Sequence, residues 1–478
     1  MHPPCYHRAL SASLLILATS QCPTPAVARE IPYRTIDRVY DGEEPPPLAP
    51  PSKQWESESL IAMQFTPDPY AHRDRTEMIL SGELVLAAIR YSPSSFATAT
   101  EEDGGSSRVF DNDDDENDSE SYYTNVDGEF CIFRPSDNRN DPSVYPTISS
   151  VMSESENCRE HRYTIPLTEV MQAVRAHDNT ASSAGDGNGK VRHLPLSGML
   201  FHQGYAGAGL ISNAITSFDS NLVISEHAGV RDALSACDVI RNRHLSTNCS
   251  IKKQQRLIRD VITLLSRIPS SDNIDDTNST VQRLYLKLSS ASSAYLSTMR
   301  YLYPQAKWAF VYRSTAEHAL AKTMGRSRKK SCIKSKRNPS SVLSNKSSEY
   351  NINVEQLSHH EMCALYLSTF AETALQEHEE SGTGMLLSYE IDIAENVDTI
   401  VDVILPYFGM QDEIDSDPQG VRDRVSGILS MKSNASGRFD RIDKMWTGER
   451  DVQVTEEVIA ASELFMMDSM ESIMRMRR

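Results

Sequence analysis

Three closely spaced glycines, Gly204, Gly207 and Gly209, are the residues whose type and spacing most directly indicate chemistry. An apolar run, Met199–Phe201, precedes them, and a helical pattern follows from Leu210. A strand, a glycine-rich turn and a helix together present backbone N–H groups and a helix N-terminus to a phosphate or sulfate. The predicted anion-binding loop consists of Gly204, Tyr205, Ala206, Gly207, Ala208 and Gly209.

The residues after this turn decide against an ordinary ATPase or GTPase. Such proteins place a Lys and then a Ser or Thr after the last glycine, to reach the terminal phosphate and to hold Mg²⁺. Here Leu210 and Ile211 follow Gly209. The pattern favours an anion bound without a metal, so we expect no metal site. A nucleotide kinase is an alternative that magnesium-dependent turnover would revive.

The net charge of the chain restricts the classes of molecule that it is expected to bind. The chain has 478 residues and a formal net charge of −18, whereas non-specific nucleic-acid binders are usually basic. We therefore expect no nucleic-acid partner. Hydrophobic residues make up 39% of the chain, which is enough for a substantial core.

The first 28 residues are typical of a secretory signal peptide. An apolar stretch, Leu10–Thr19, is followed by Ala26-Val27-Ala28, a small-residue cleavage pattern. We expect cleavage, no stable membrane span afterwards, and residence in the Golgi lumen or secretion. A retained anchor, or a bipartite plastid signal, is the alternative.

Cysteines and glycosylation motifs agree with export. Eight cysteines are present, and the two in the signal segment leave an even number for disulfides, whose pairing the sequence cannot choose. No two cysteines have the C-x-x-C spacing of a zinc site. Acceptor motifs for N-glycosylation occur at Asn117, Asn248, Asn278, Asn345 and Asn434.

Shifts in composition divide the chain into segments. Residues 29–122 form a Pro-rich and acidic arm that we expect to be mostly disordered, apart from an apolar stretch at 78–89 long enough for a helix. A small accessory region follows at 123–180, and then a linker at 181–190. The rest, 191–478, is the main domain, with a basic, Ser-rich insert at 325–351 expected to be a loop.

In the main domain, strand-like and helical patterns alternate, which predicts an α/β fold with a parallel sheet between layers of helices. The predicted strands are Gly198–Phe201, Asn221–Ser225, Leu284–Lys287, Trp308–Tyr312 and Met385–Tyr389. The predicted helices are Leu210–Ser217, Val230–Asp238, Gln254–Arg267, Ala291–Tyr303, Glu317–Met324, His359–Glu377 and a Met-rich helix, Val454–Met474.

Polar residues at the ends of these strands are candidates for catalysis. His202 ends the first strand, and Glu226 and His227 follow the second, at the edge where α/β sheets bind ligands. Glu226 or His227 is the candidate general base, and Lys287 or His202 would face a leaving group. A structural role for either histidine, and an N-cap role for Glu226, are the alternatives.

Several blocks of the main domain, in their order, resemble the sulfotransferase superfamily. They are the glycine-rich turn, the strand Trp308–Tyr312 continuing to Arg313 and Glu317, and the strand Met385–Tyr389 with the later segment Val397–Gly409. The strand ends at Val223–His227 and Tyr285–Ser290 resemble a eukaryotic, often algal, secretory branch of that superfamily. The likeness covers roughly residues 195–478 and implies a P-loop-type, three-layer α/β fold.

The resemblance implies a transferase that moves a sulfuryl group from 3′-phosphoadenosine 5′-phosphosulfate (PAPS) to a hydroxyl, such as one on a glycan. The glycine-rich loop would hold the phosphosulfate, and Arg313 would hold the 3′-phosphate. Independently of the resemblance, the basic insert is expected to be a solvated loop, and the alternative is a binding surface for an anionic acceptor, such as an acidic glycan or sulfated polymer.

Departures from the family pattern leave a second function open. Tyr205 stands where the family has a Lys or Arg, and Ala208 and Gly209 replace a hydroxyl pair. Ala321 replaces a Ser, and Thr315 replaces a Pro. Charge-assisted hydrogen bonds contribute about 1.5–3 kcal/mol each, so their loss would weaken donor binding. The alternative is a degenerate homologue, a binding or scaffold protein of the secretory pathway.

Overall fold

The computed structural model describes part of the chain in detail. The described residues are 73–91, 123, 125–133, 152, 155, 158, 161–183, 191–238, 250–269, 281–324, 331–337, 339–394, 396–434 and 454–477. The signal peptide, the acidic run at 101–120, the later part of the linker (184–190) and the start of the insert (325–330) lie outside them. The described residues belong to one compact unit, Pro67–Arg478.

Ten strands are described in three sheets. In chain order they are β1 (Leu84–Tyr91), β2 (Val126–Ile132), β3 (Tyr163–Pro166), β4 (Val191–His193), β5 (Leu196–His202), β6 (Asn221–Ser225), β7 (Arg267–Pro269), β8 (Arg283–Lys287), β9 (Lys307–Tyr312) and β10 (Met385–Ser388). β1, β2 and β3 form an antiparallel sheet, and β4 pairs with β7. The other five strands form a parallel sheet in the order β10-β9-β5-β8-β6.

The α-helices of the described part, in chain order, are α1 (Arg75–Leu80), α2 (Leu167–Ser183), α3 (Ala208–Thr216), α4 (Ala228–Leu234), α5 (Ile251–Ser266), α6 (Leu296–Leu302), α7 (Ala316–Met324), α8 (Ser331–Arg337), α9 (Ser341–Glu349), α10 (His359–Ser381), α11 (Val397–Thr399), α12 (Leu405–Tyr407), α13 (Gln411–Ser416), α14 (Pro418–Asn434), α15 (Glu456–Phe465) and α16 (Met467–Met476). Two 3₁₀ turns, Ser290–Tyr295 and Val354–Gln356, and two π turns, Tyr389–Ile393 and Ile400–Ile404, connect some of them.

The parallel sheet is the middle of three layers, so the predicted α/β class is confirmed. Alternate residues of its central strand point to opposite faces: Met199 and Phe201 pack in one core, and Leu200 packs in the other. The second core contains α3 and the helical segments between residues 397 and 429. Burial on both faces explains why these strands are short, continuous apolar runs, from which the sequence predicted all five.

Three local predictions are wrong. Residues 78–89 form the end of α1 and then β1, because Gly82 adopts a left-handed φ of 78° and stops the helix. The described part of the insert is helical, α8 and α9, and a disulfide from Cys332 to Cys363 ties it to α10. The Met-rich C-terminal helix breaks into α15 and α16 at Met466, whose backbone leaves ideal helical angles.

The antiparallel sheet shares a core with the parallel sheet. β1 contacts α4 and α5, and Leu86 and Phe130 belong to the same hydrophobic cluster as Met199. A second disulfide joins Cys131 of β2 to Cys158, and Cys237 is also disulfide-bonded. α2 extends through Ser183, so the predicted linker begins as helix.

No described helix has the length and apolar character required to cross a bilayer.

Candidate functional site

Each parallel strand ends in, or is followed within two residues by, a charged or titratable side chain. Across the sheet, from one edge to the other, these residues are Glu390 after β10, Arg313 after β9, His202 at the end of β5, Lys287 at the end of β8 and Glu226 after β6. The chain moves from β5 to one side of the sheet and later returns to the other, so β5 is the topological switch point. Ligands of open α/β sheets bind at the carboxyl ends of strands beside such a point.

The glycine-rich loop begins directly after His202. Gly204, Tyr205 and Gly207 all have left-handed φ values, of 99°, 50° and 84°, and the Tyr205 side chain is 46% exposed. α3 begins at Ala208, and Gly207 offers its first turn no side-chain cap. The first N–H groups of a helix have no intrahelical acceptor and attract anions. This turn therefore has the backbone shape that the sequence predicted for an anion loop.

Gly207 is fixed by an aromatic neighbour. A Cβ atom at this position would lie 2.3 Å from Cδ2 of Tyr389. The same Tyr389 ring lies 4.7 Å from the guanidinium carbon of Arg313. Tyr389 thus joins the loop after β5 to the residue after β9.

His202 is buried, with 7% of its surface exposed, and among these five strand-end residues only Lys287, at 3%, is more enclosed. Its Nδ1 accepts a hydrogen bond from the Gly204 N–H at 3.0 Å, so a neutral ring carries its proton on Nε2. Nε2 has no hydrogen-bond partner and lies 3.6 Å from Glu226 Oε1. Burial lowers the pKa of His202, which keeps the ring neutral at pH 7. The structure therefore places a buried N–H donor at the switch point, with the Glu226 carboxylate just beyond hydrogen-bond distance.

Ser293 holds the backbone of His202 in place. Its hydroxyl donates to the His202 carbonyl at 3.0 Å and lies 3.2 Å from the His202 amide nitrogen.

Lys287 and Glu226 form an ion pair in which Lys287 Nζ donates to Glu226 Oε1. Glu226 adopts a left-handed φ of 51°, an uncommon conformation for a side chain of this size, and its N–H donates to the Lys287 carbonyl at 2.6 Å. Burial raises the pKa of Glu226, but the Lys287 ammonium and the His202 ring outweigh it and lower the pKa to about 2. A carboxylate with so low a pKa is a weak base while this pair is intact.

Arg313 is held by four neighbours, and 14% of its side chain is exposed. Its Nε donates to the Tyr205 carbonyl at 2.9 Å, and its NH1 lies 3.0 Å from Glu390 Oε1. Its backbone N–H donates to Gln203 Oε1 at 3.4 Å. Together with the Tyr389 ring, these contacts place the guanidinium beside the glycine-rich loop.

The structure brings His202, Glu226 and Lys287 together and places Arg313 on the other side of the same loop. His227 differs from these residues, because both of its ring nitrogens have partners within the fold. Its Nδ1 accepts from Gly229 N–H and caps α4, and its Nε2 donates to the Leu86 carbonyl. Ala321 is buried within α7, where it packs in the main core.

Residue-type reasoning assigned no role to Glu390, Tyr389 or Gln203. All three follow strand ends, which is the signal that could have identified them. Gln203 also contacts the C-terminal helix, since its Nε2 donates to the Met470 sulfur at 3.4 Å. Within the described residues, no group of His, Cys, Asp and Glu side chains has an arrangement that would hold a metal ion.

No protein-family model and no curated protein sequence matches the chain. Among solved structures, the chain is similar to the sulfotransferase domain from the curacin biosynthetic pathway, with a TM-score of 0.28 and 10% identity over 57% of this chain and 98% of that domain. It is also similar to the sulfotransferase domain from the Synechococcus PCC 7002 olefin synthase, with a TM-score of 0.27 and 12% identity over 57% of this chain and 96% of that domain. Similarities this low assign neither a family nor an activity.

Proposed function

We propose that the protein transfers a sulfuryl group from PAPS to a hydroxyl acceptor, with the carboxyl edge of the parallel sheet as its active site. The observation that carries the proposal is the buried N–H at His202 Nε2, which makes no hydrogen bond to the described residues and has the Glu226 carboxylate 3.6 Å away. An unsatisfied buried donor costs about 1–3 kcal/mol, and a bound anion would remove that cost.

The chain's own residues fit a donor with two phosphate groups. The loop from Gly204 to Gly209 would hold the phosphosulfate through backbone N–H groups, and Arg313 would hold the 3′-phosphate. PAPS supplies the sulfuryl group when bound. His202 would donate from Nε2 to an oxygen of the bound anion, and Tyr389 would keep Arg313 oriented.

Lys287 and Glu226 would act as a coupled pair. If Lys287 turns toward an anionic ligand, Glu226 loses its nearest counter-charge. Burial then raises the pKa of the carboxyl toward the range in which it serves as a general base for the acceptor hydroxyl. The ion pair with Lys287 would thus keep the Glu226 carboxylate weakly basic until an anion binds.

The secretory location and the acceptor class are parts of the same proposal. The disulfides Cys131–Cys158 and Cys332–Cys363 fit an oxidising compartment. A glycan hydroxyl is the acceptor class that we favour, with the basic insert as the surface for an anionic one.

One observation favours the second candidate, a sulfotransferase-like binding protein without turnover. Both cations at the carboxyl ends of the parallel strands are already paired, Lys287 with Glu226 and Arg313 with Glu390. Tyr205, Ala208 and Ala321 also replace groups that the resemblance expects to bind the donor. This protein would bind the donor nucleotide weakly or not at all, and it would transfer no sulfate.

The first test is calorimetry of 3′-phosphoadenosine 5′-phosphate binding to the full chain, without magnesium. We expect Arg313→Ala to weaken binding at least about tenfold, since a charge-assisted contact to phosphate is lost. Arg73→Ala is the matched control, because Arg73 also pairs with a glutamate, Glu83, at 2.6 Å. Binding that Arg313→Ala leaves unchanged contradicts the donor site. Weak or undetectable binding by the folded chain, with no transfer of labelled sulfate from PAPS to glycans, supports the second candidate.

A further inference from the structure

The Glu390 carboxylate makes the two contacts that a bound anion would make at this edge of the sheet. Its Oε1 lies 3.0 Å from Arg313 NH1, and its Oε2 accepts a hydrogen bond from the Ser314 N–H at 2.8 Å. Ser314 lies in the turn directly before α7, which begins at Ala316. A guanidinium and a backbone N–H near a helix N-terminus are typical phosphate-binding groups.

Arg313 does not need Glu390 to hold its position. Its Nε donates to the Tyr205 carbonyl at 2.9 Å, and the guanidinium lies over the Tyr389 ring at 4.7 Å. Both contacts would persist if the carboxylate moved away. NH1 would then be available to another anion in a side chain that is already oriented.

Glu390 can leave without rearranging the backbone. Its side chain is 31% exposed, so a path to solvent exists. The π turn that carries it, Tyr389–Ile393, is anchored separately at Asp392, whose carboxylate accepts from Ser388 N–H at 2.7 Å and from Arg477 Nε at 2.9 Å. A rotation of one side chain is therefore sufficient.

We propose that Glu390 is a specificity-determining residue: a tethered carboxylate that occupies the Arg313 anion site and yields only to an anion that competes with it. Phosphate competes better than chloride or a carboxylic acid, because it carries more charge and offers more acceptor oxygens to a guanidinium and an N–H group. The inference rests on the proposed function in taking Arg313 as an anion-binding residue. It adds the group that sets how strongly and how selectively Arg313 binds.

The test uses inorganic phosphate as the probe, titrated into the full chain by calorimetry at constant ionic strength. We expect Glu390→Gln to bind phosphate at least about tenfold more tightly than the unmodified chain, because the amide keeps the shape and removes the competing charge. Glu390→Asp, which keeps the charge on a shorter side chain, should fall between the two. The double variant Arg313→Ala/Glu390→Gln should lose the gain.

Glu83→Gln is the matched control, since Glu83 also pairs with an arginine, Arg73. It should leave phosphate affinity unchanged, and thermal melting should show that every variant is folded. If neither Glu390→Gln nor Glu390→Asp binds phosphate more tightly than the unmodified chain, the proposal is overturned.

Titration of 3′-phosphoadenosine 5′-phosphate into the same proteins separates the two proposals. If Glu390→Gln gains phosphate affinity but no protein binds the nucleotide, the role of Glu390 stands and the sulfotransferase proposal fails. If the nucleotide binds the unmodified chain through Arg313 but Glu390→Gln gains affinity for neither ligand, the sulfotransferase proposal stands and the role of Glu390 fails.

Discussion

The Tyr389 ring packs directly on Gly207, so the π turn after β10 contacts the glycine-rich loop after β5. Gly207 also needs its left-handed φ of 84°, which an L side chain adopts only at a cost. Gly207 therefore has two reasons to be a glycine: its left-handed φ, and the lack of space for a Cβ atom beside the Tyr389 ring.

Gly207→Ala should therefore destabilise the protein by more than its backbone angle explains. We expect a loss of about 1 kcal/mol from the left-handed φ and a further 1–3 kcal/mol from the displaced Tyr389 ring. Gly382→Ala is the matched control, because Gly382 has a φ of 58° and open space around its missing Cβ. Equal losses for the two variants in urea unfolding would show that the contact with Tyr389 is unimportant.

Lys287→Met should raise the pKa of Glu226 from about 2 toward its ordinary value, because burial is then opposed by the His202 ring alone. In the unmodified chain, the lowered pKa means that Glu226 stabilises the fold above about pH 4.5 and that this contribution is lost as the pH falls toward 2. Lys287→Met should reduce this acid-dependent contribution. Carboxyl chemical shifts measured by NMR across the pH range would report the change.

Lys307→Met is the control for that experiment. Lys307 begins β9, so it lies at the amino ends of the parallel strands, whereas Glu226 lies at their carboxyl ends. It should leave the Glu226 titration unchanged. A Glu226 pKa that stays near 2 in Lys287→Met would mean that the ion pair is not what lowers it.

His227 should make the fold sensitive to mild acid. Burial lowers the pKa of His227 from about 6.5 to about 4, so its unfolded form binds a proton at a higher pH than its folded form. The contribution to stability is complete above pH 6.5 and falls between pH 6.5 and 4, by on the order of 3 kcal/mol. His202, whose pKa burial also lowers, adds a loss in the same direction.

His227→Asn should flatten this part of the stability curve. Asn caps helices well, so the first turn of α4 should persist, while the titrating ring and its bond to the Leu86 carbonyl are lost. Urea unfolding at several pH values between 7 and 4 would measure the slope. The same slope in both proteins would assign the acid sensitivity to other groups.

Arg477 should anchor the C-terminal helix to the candidate site. Its guanidinium makes two bonds to Asp392, in the turn that also carries Glu390. Arg477→Ala would leave a nearly buried carboxylate without its counter-charge, at a cost of about 1–3 kcal/mol in the free energy of unfolding. Arg475→Ala, on the exposed side of the same helix, should change it by less than about 0.5 kcal/mol.

A double-mutant cycle with Asp392→Asn would isolate the pair. The double variant should lose less free energy of unfolding than the two single variants lose together, because no charge is then left unpaired. Strict additivity would show that Arg477 and Asp392 do not interact.

The five parallel strands and most of the helices between them could be predicted, because each strand is buried on both faces and each of those helices shows its own periodicity, whereas the helices α8 and α9 of the insert could not. The strand Asn221–Ser225 was predicted to the residue, and Arg313 and Lys287 were placed correctly at strand ends. Residues 78–89 were mistaken for a helix because an apolar run has no periodicity that separates a helix from a strand.

Partners that are distant in sequence could not be predicted. The Lys287 and Glu226 side chains are 61 residues apart, and Arg313 and Glu390 are 77 apart. Their pairing depends on the strand order β10-β9-β5-β8-β6, which local patterns do not encode. Local patterns likewise could not predict that His227 Nε2 contacts the Leu86 carbonyl, on another sheet.

The sequence by itself determined the strands of the parallel sheet and the glycine-rich turn, because backbone conformation and hydrophobic patterning are local properties of the chain. Only the tertiary structure decided which charges meet, since ion pairs such as Arg313 with Glu390 form where packing brings strand ends together. It also decided that the His202 ring is buried beside the Glu226 carboxylate, because burial and contacts depend on every neighbour that the fold supplies.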